Sequence, residues 1–126
     1  EWFRPFAGSV MIEYAAEWFD MCDMSESPHM MYAMNIMPSH MGELPAITHV
    51  DGTCRVQTVS ISDNKPYYKL IKAFYDATQV PVLFNTSMNL AGQPLVESVE
   101  DALNMLLQTD IKYLYLADIS KLVIKP

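Results

Sequence analysis

Hydrophobic and polar positions along this chain of 126 residues change their spacing several times, and each change predicts an element. Ser9 is placed to cap a helix that carries Val10, Tyr14, Trp18 and Met21 on one face and ends near Cys22 and Asp23. Residues 23–28 are polar and read as a loop. Residues 29–37 read as a strand, and 38–45 as an irregular segment between prolines. Two short strands are expected at 46–50 and 53–61, joined by the turn dipeptide Asp51-Gly52. Asn64 and Pro66 then start a helix whose buried face would be Tyr67, Leu70, Ile71 and Phe74. A strand at 81–84 follows. Ser98 and Asp101 resemble a capping box, opening a helix that buries Val99, Ala102, Leu103, Leu106 and Leu107. Strands at 113–117 and 122–125 close the chain. Strands alternating with helices make an α/β domain.

One stretch does not fit packing needs. The apolar run Val80-Pro81-Val82-Leu83-Phe84 stops at Asn85-Thr86-Ser87-Met88-Asn89, then turns at Gly92 and Pro94. A core has no use for so many amides and hydroxyls, because burying them unbonded costs a few kcal/mol each. Their position at the carboxyl end of a strand is where ligands of open α/β sheets bind. The competing reading is that these side chains only satisfy loop backbone.

Composition narrows the choices. The chain is 51% hydrophobic, contains no apolar run long enough to span a membrane, and shows no signal-peptide pattern. A formal charge of −7 argues against a nucleic-acid binder but leaves room for small anions. Of eight basic residues only Arg4 and Arg55 are arginines, the type suited to bidentate contact with phosphate or carboxylate. Either could equally serve a structural ion pair. Cys22 and Cys54 lack metal-ligand spacing and form no disulfide framework, so a reduced, cytoplasmic protein is the simpler reading. His29, His40 and His49 show no metal pattern, and no metal site is expected. Eight of the ten methionines fall between positions 11 and 41, as core filler or as an adaptable surface; filler is the favoured reading.

Several blocks resemble the C-terminal part of the O-carbamoyltransferases, which act on Nod factors, cephem antibiotics, aminoglycosides and related compounds. They are Phe3-Arg4-Pro5-Phe6-Ala7-x-Ser9-Val10, then Thr48-His49-Val50-Asp51-Gly52-Thr53-Cys54-Arg55-Val56-Gln57-Thr58-Val59. The third is Pro81 to Asn89 with Gly92-Gln93-Pro94 and Glu100-Asp101-Ala102-Leu103. The blocks span nearly the whole chain in order. Departures are small: Met88 stands where Phe is usual, Ala91 where Arg is common, Gln93 for Glu and Cys54 for Ala. The family also carries a K-x-R pair just before the Glu1 block. With no initiator Met, residues 1–126 are expected to be one domain excised from a larger protein.

The resemblance implies a YrdC-like open twisted mixed sheet with flanking helices, incomplete if the chain is a fragment. Ser87-x-Asn89 resembles the Ser-x-Asn signature of that fold. The implied chemistry starts with hydrolysis of carbamoyl phosphate to carbamate. Carbamate then attacks the α-phosphate of ATP, supplied with Mg2+, to give carbamoyl adenylate and pyrophosphate. An N-terminal actin-like domain of the same protein, holding a metal ion, would pass the carbamoyl group to a hydroxyl. Arg55 and Ser87 are the expected catalytic residues, with Arg55 on a phosphate or the carbamoyl oxygen. Arg4 would make a second anionic contact, Asn85, Ser87 and Asn89 would contact the adenylate, and Thr48 and His49 are secondary candidates. No cofactor is expected to bind this piece tightly, no nucleic acid or membrane is an expected partner, and a homodimer stays open. The alternatives are a non-catalytic nucleotide- or anion-binding module, and a protein resembling threonylcarbamoyl-adenylate synthases.

Overall fold

A strand at the centre of a sheet is buried on both faces, so its sequence loses the alternation that marks an edge strand. That is why the first element is β1 (Ala7–Met11) and not the expected helix: all five of its residues are buried. Ser9 is therefore a sheet residue and caps nothing. The helical spacing of Tyr14 and Trp18 comes from a single 3-10 turn, Ile12–Tyr14, and a four-residue helix α1 (Ala15–Trp18). The computed structural model describes residues 6–125, so Arg4 lies outside the described residues. The chain divides into two compact units at Thr86 and Ser87.

The first unit is built on an open, mixed four-stranded sheet in the order β2-β3-β1-β4, with β2 spanning Ala33–Asn35, β3 Thr53–Val59 and β4 Val82–Asn85. β1 pairs parallel with β3 and antiparallel with β4, while β2 pairs antiparallel with β3. The mixed α/β class matches expectation. The strand expected at 29–37 shrinks to three residues. The one expected at 46–50 is absent: Ile47 and Thr48 both donate their N–H groups to the Leu44 carbonyl, closing a turn. Asp51-Gly52 does turn the chain, with Gly52 at φ +80, but it leads from that loop into β3 and joins no hairpin.

Side chains alternate across the pleat, so one face carries Val10, Met34, Cys54, Val56 and Val82. These join Trp18, Phe19, Ile36, Leu44 and Ile47 in the main core. Packing there is close enough to require Gly8, since a Cβ at that position would lie 2.6 Å from Ile47 Cδ1. Met11, Met21 and Met34 are buried, as filler would be, whereas Met31 and Met41 are exposed. The opposite face meets α2 (Lys65–Thr78), whose first turn is fixed by Asn64 Oδ1 accepting the Tyr67 N–H at 3.1 Å. Ile71 of α2 is buried on Met11 and Val59, flanked by Tyr67, Tyr68, Tyr75 and Leu83. The helix is rotated from the expected stripe: Leu70 and Phe74 are exposed, and Phe74 lines a shallow apolar recess with Leu44, Ile47 and Phe84.

The second unit contains α3 (Val99–Gln108) and an antiparallel hairpin of β5 (Tyr113–Leu116) and β6 (Lys121–Ile124). The capping box is present, with Ser98 Oγ accepting the Asp101 N–H at 3.1 Å and Asp101 accepting from the Ser98 N–H at 3.0 Å. Lys125 Nζ donates to the Leu107 and Thr109 carbonyls, satisfying the carboxyl end of α3 where positive charge is favoured. Ala102, Leu106 and Leu114 form a small core. Val99 and Leu107, expected inside, are exposed.

Candidate functional site

The sheet face beneath α2 changes character along its length. At the end that α2 covers it presents Met11, Val59 and Leu83; two residues further along each strand it presents Ser9, Gln57 and Asn85. The chain holds 15 acidic residues, yet none of the four strands carries one, while β3 carries Arg55. The strands themselves therefore bring no negative charge to the polar end.

Ser9, Gln57 and Asn85 sit on three adjacent strands and bond to one another. Ser9 Oγ donates to Gln57 Oε1 at 2.7 Å, and Asn85 Nδ2 donates to Ser9 Oγ at 2.9 Å and to Gln57 Oε1 at 2.8 Å. Gln57 Nε2 donates to the Pro28 carbonyl at 3.2 Å, tying the group to the loop before β2. That loop is pinned by the buried Ser27, whose N–H donates to Thr58 Oγ1 and whose hydroxyl donates to the Val56 carbonyl. An open groove of about 470 Å3 runs past Gln57, between Glu26, His29 and Tyr67.

Strand register brings Arg55 and Asn85 into one row, each opposite Ala7 in β1, with Ala33 beyond Arg55. Strands lie roughly 4.8 Å apart, which puts about 10 Å between the Cα atoms of Arg55 and Asn85. Between them lies Ala7, which is buried. Of the expected site residues these two are brought together.

Thr48 and His49 belong to the loop ahead of β3. Thr48 Oγ1 donates to the Leu44 carbonyl at 2.7 Å, a turn closure of ordinary kind. His49 Nδ1 lies 3.1 Å from Asp51 Oδ1. Asp51 also accepts from the Thr53 hydroxyl at 2.6 Å and the Thr53 N–H at 3.0 Å. These bonds hold its carboxyl down at about 2, the Thr53 hydroxyl contributing most. This constellation shapes the entry to β3. Cys54, buried in the core, has its thiol pushed up to about 11 by burial, which makes it a poor nucleophile.

Ser87 and Asn89 lie in the second unit. Ser87 is exposed. Asn89 Nδ2 donates to the Leu90 and Gln93 carbonyls at 3.1 and 3.0 Å, stapling the turn that Gly92 makes with φ +79. Beside it opens a groove of about 470 Å3 lined by amides and by Glu97 and Asp101, with no cationic side chain. Among the described residues no group of three His, Cys, Asp or Glu could hold a metal ion.

Sequence reasoning missed Ser9 and Gln57. A signal for Gln57 existed: in β3, Arg55, Gln57 and Val59 alternate with Cys54, Val56 and Thr58, which places Gln57 on the arginine's face. Ser9 gave no such sign, because its central strand was not recognised.

The comparisons with known proteins identify the family of the chain. The carbamoyltransferase C-terminus family matches residues 1–122. Nodulation protein NolNO of Sinorhizobium fredii is 46% identical over 88% of this chain and 16% of its own length. Nodulation protein NolO of Bradyrhizobium diazoefficiens is 43% identical over 88% of the chain and 20% of its own length. A 3'-hydroxymethylcephem-O-carbamoyltransferase of Amycolatopsis lactamdurans is 37% identical over 79% of the chain and 18% of its own length. The chain thus spans a fifth or less of these relatives. With the family matched over almost all its residues, the chain belongs to the carbamoyltransferase C-terminus family.

Proposed function

We propose that this chain serves a larger O-carbamoyltransferase by binding ATP and carbamoyl phosphate during formation of carbamoyl adenylate. The observation that carries the reading is the row of Arg55, Ala7 and Asn85 on a sheet free of carboxylates. Reactions at phosphorus and at acyl phosphates are accelerated chiefly by positioned charge and hydrogen-bond donors. Arg55 supplies that charge to a phosphate or to the carbamoyl oxygen, with Arg4 as a second anionic contact. Asn85 holds one end of the ligand, and Ser87 and Asn89 contribute to adenylate contacts. Mg2+ enters as the counter-ion of the ATP phosphates.

In this scheme water releases phosphate from carbamoyl phosphate, leaving carbamate. A carbamate oxygen forms a bond to the α-phosphorus of ATP as the bond to the bridging oxygen of pyrophosphate breaks. The carbamoyl group then moves to an acceptor hydroxyl, which gives up its proton as AMP departs, in an actin-like N-terminal domain with its own metal ion, in the cytoplasm. Thr48 and His49 act as supports of the β3 entry.

The test is pyrophosphate release by the full-length protein with ATP, measured with and without carbamoyl phosphate. Release that requires carbamoyl phosphate is the expected result. A folded protein that binds ATP and releases nothing would instead be a nucleotide-binding module. Dependence on threonine and bicarbonate would point to the threonylcarbamoyl-adenylate chemistry.

A further inference from the structure

The hydrogen bonds around Gln57 have a direction that chemistry forces. A backbone carbonyl can only accept, so the Gln57 group facing the Pro28 carbonyl must be its NH2. Its Oε1 is thereby turned toward Ser9 and Asn85. An oxygen facing that Oε1 at 2.8 Å would set two acceptors against each other, so Asn85 must present Nδ2 there. The Ser9 hydroxyl, already donating to Gln57, can only accept from Asn85. Both Asn85 donors are engaged on one side, and its Oδ1 accepts no hydrogen bond among the described residues.

We propose that Gln57 and Ser9 are positioning residues that lock Asn85 with its carbonyl oxygen outward, and that this oxygen selects a ligand by its N–H donor, the NH2 of a carbamoyl group. The inference rests on the proposed carbamoyl phosphate chemistry and adds a specificity determinant to it. An asparagine free to rotate would offer a donor or an acceptor indifferently. The relay from the Pro28 carbonyl removes that choice and makes position 85 an acceptor only. In the same row Arg55 is suited to negative charge, so the face is complementary to a molecule with an anionic group at one end and an N–H donor at the other. Carbamoyl phosphate and carbamate have that form. Acetyl phosphate and acetate have the same shape with a methyl group in place of the NH2, and they would leave Asn85 Oδ1 unpaired.

The experiment compares carbamoyl phosphate with acetyl phosphate as the acyl donor for ATP-dependent pyrophosphate release by the full-length protein. The readout is the ratio of the two kcat/KM values, so that intrinsic reactivity cancels when variants are compared. Losing one such hydrogen bond corresponds to roughly a 10- to 100-fold change, and Asn85→Leu should lower the carbamoyl preference by that factor. Gln57→Leu, which frees the amide to flip, should lower it too. Gln57→Glu loses the bond to the Pro28 carbonyl but can still accept from Ser9 and Asn85, so the ratio should survive even where the absolute rates fall, because both acyl donors carry the same charge. A simple loss of stability would change rates in all three variants without separating the two Gln57 substitutions. An unchanged ratio in Asn85→Leu and Gln57→Leu, in variants whose thermal unfolding shows them folded, overturns the inference. Absence of any carbamoyl-phosphate-dependent release in the unaltered protein removes the underlying reading, and this inference with it.

Discussion

Two ends of one sheet face, a few ångströms apart along the same strands, have been put to opposite uses. Met11, Val59 and Leu83 lie where α2 covers the sheet, and Ile71 packs there with Met11 and Val59 buried and Leu83 partly so. Ser9, Gln57 and Asn85 occupy the next positions of the same strands, where polar groups must bond to each other. The backbone pairing is continuous across both ends, so sheet geometry cannot cause the difference. The cover does. A helix demands apolar partners, and the end beyond α2 keeps its polar groups, the fully buried Ser9 among them, by pairing them with one another; among the described residues no buried side-chain polar atom lacks a partner.

If this division is right, a substitution at the polar end should spoil chemistry and spare stability. Arg55→Ala in the full-length protein is expected to lower carbamoyl-phosphate-dependent pyrophosphate release by roughly 10² to 10³, the usual cost of losing one positioned electrostatic contact. Arg55 is exposed, so the unfolding midpoint should barely move. Unchanged kinetics would take Arg55 out of the site and leave the two ends differing in packing alone.

The covered end should behave in the reverse way. Ile71 is fully buried between α2 and the sheet. Ile71→Ala is expected to cost about 2–4 kcal/mol in urea unfolding, combining lost transfer energy with the cavity left behind. The folded fraction should retain its preference between acyl donors. A loss below about 1 kcal/mol would mean that α2 is loosely seated and that the cover does not define the boundary.

How much of this was readable beforehand follows the same line. Elements whose ends are set by local chemistry were legible: Asn64 capping α2, Ser98 with Asp101 capping α3, and the Asp51-Gly52 turn. Elements defined by pairing across the chain were not. β1 is held by β3, which lies 48 positions away in sequence at Ser9 and Gln57, and no window around Ser9 contains that partner. The same limit applies at the site. Arg55 and Asn85 were nameable as residue types, but the bonds that orient Asn85 come from Ser9 and Gln57 through register alone. The second unit's Ser87 and Asn89 were singled out for their polarity, and for Asn89 that polarity is spent partly on its own turn.

A milder change sharpens the comparison within the polar end. Ser9 is fully buried, and Ser9→Ala removes its two hydroxyl bonds. Asn85 Nδ2 keeps its bond to Gln57 Oε1, but its other N–H loses the Ser9 acceptor. The expected cost is therefore that of a lost hydrogen bond with one donor left unpaired, about 1–2 kcal/mol, under that of Ile71→Ala. Chemical denaturation of the two variants side by side measures the difference. A Ser9→Ala loss as large as that of Ile71→Ala would make the polar group part of the structural core.

The smallest effect concerns how the polar end is approached from its loop. Asp51 accepts from the Thr53 hydroxyl and N–H at the start of β3, with His49 adding to the attraction, and its carboxyl titrates at about 2 instead of near 3.8. A carboxyl depressed in the folded state binds its proton more weakly than in the unfolded chain. Its contribution is then complete above about pH 4 and is lost as pH falls toward about 2. Because Asp51 is exposed to solvent, the effect should be small and weakened by salt. Urea midpoints of the native chain and of Asp51→Asn, followed from about pH 5 to about pH 2, isolate it. The native chain should be the more stable at the upper end, and the gap should close at the lower. A gap that stays constant with pH would show that Thr53 holds this turn by geometry and not by charge, leaving Arg55 as the principal electrostatic feature of the face.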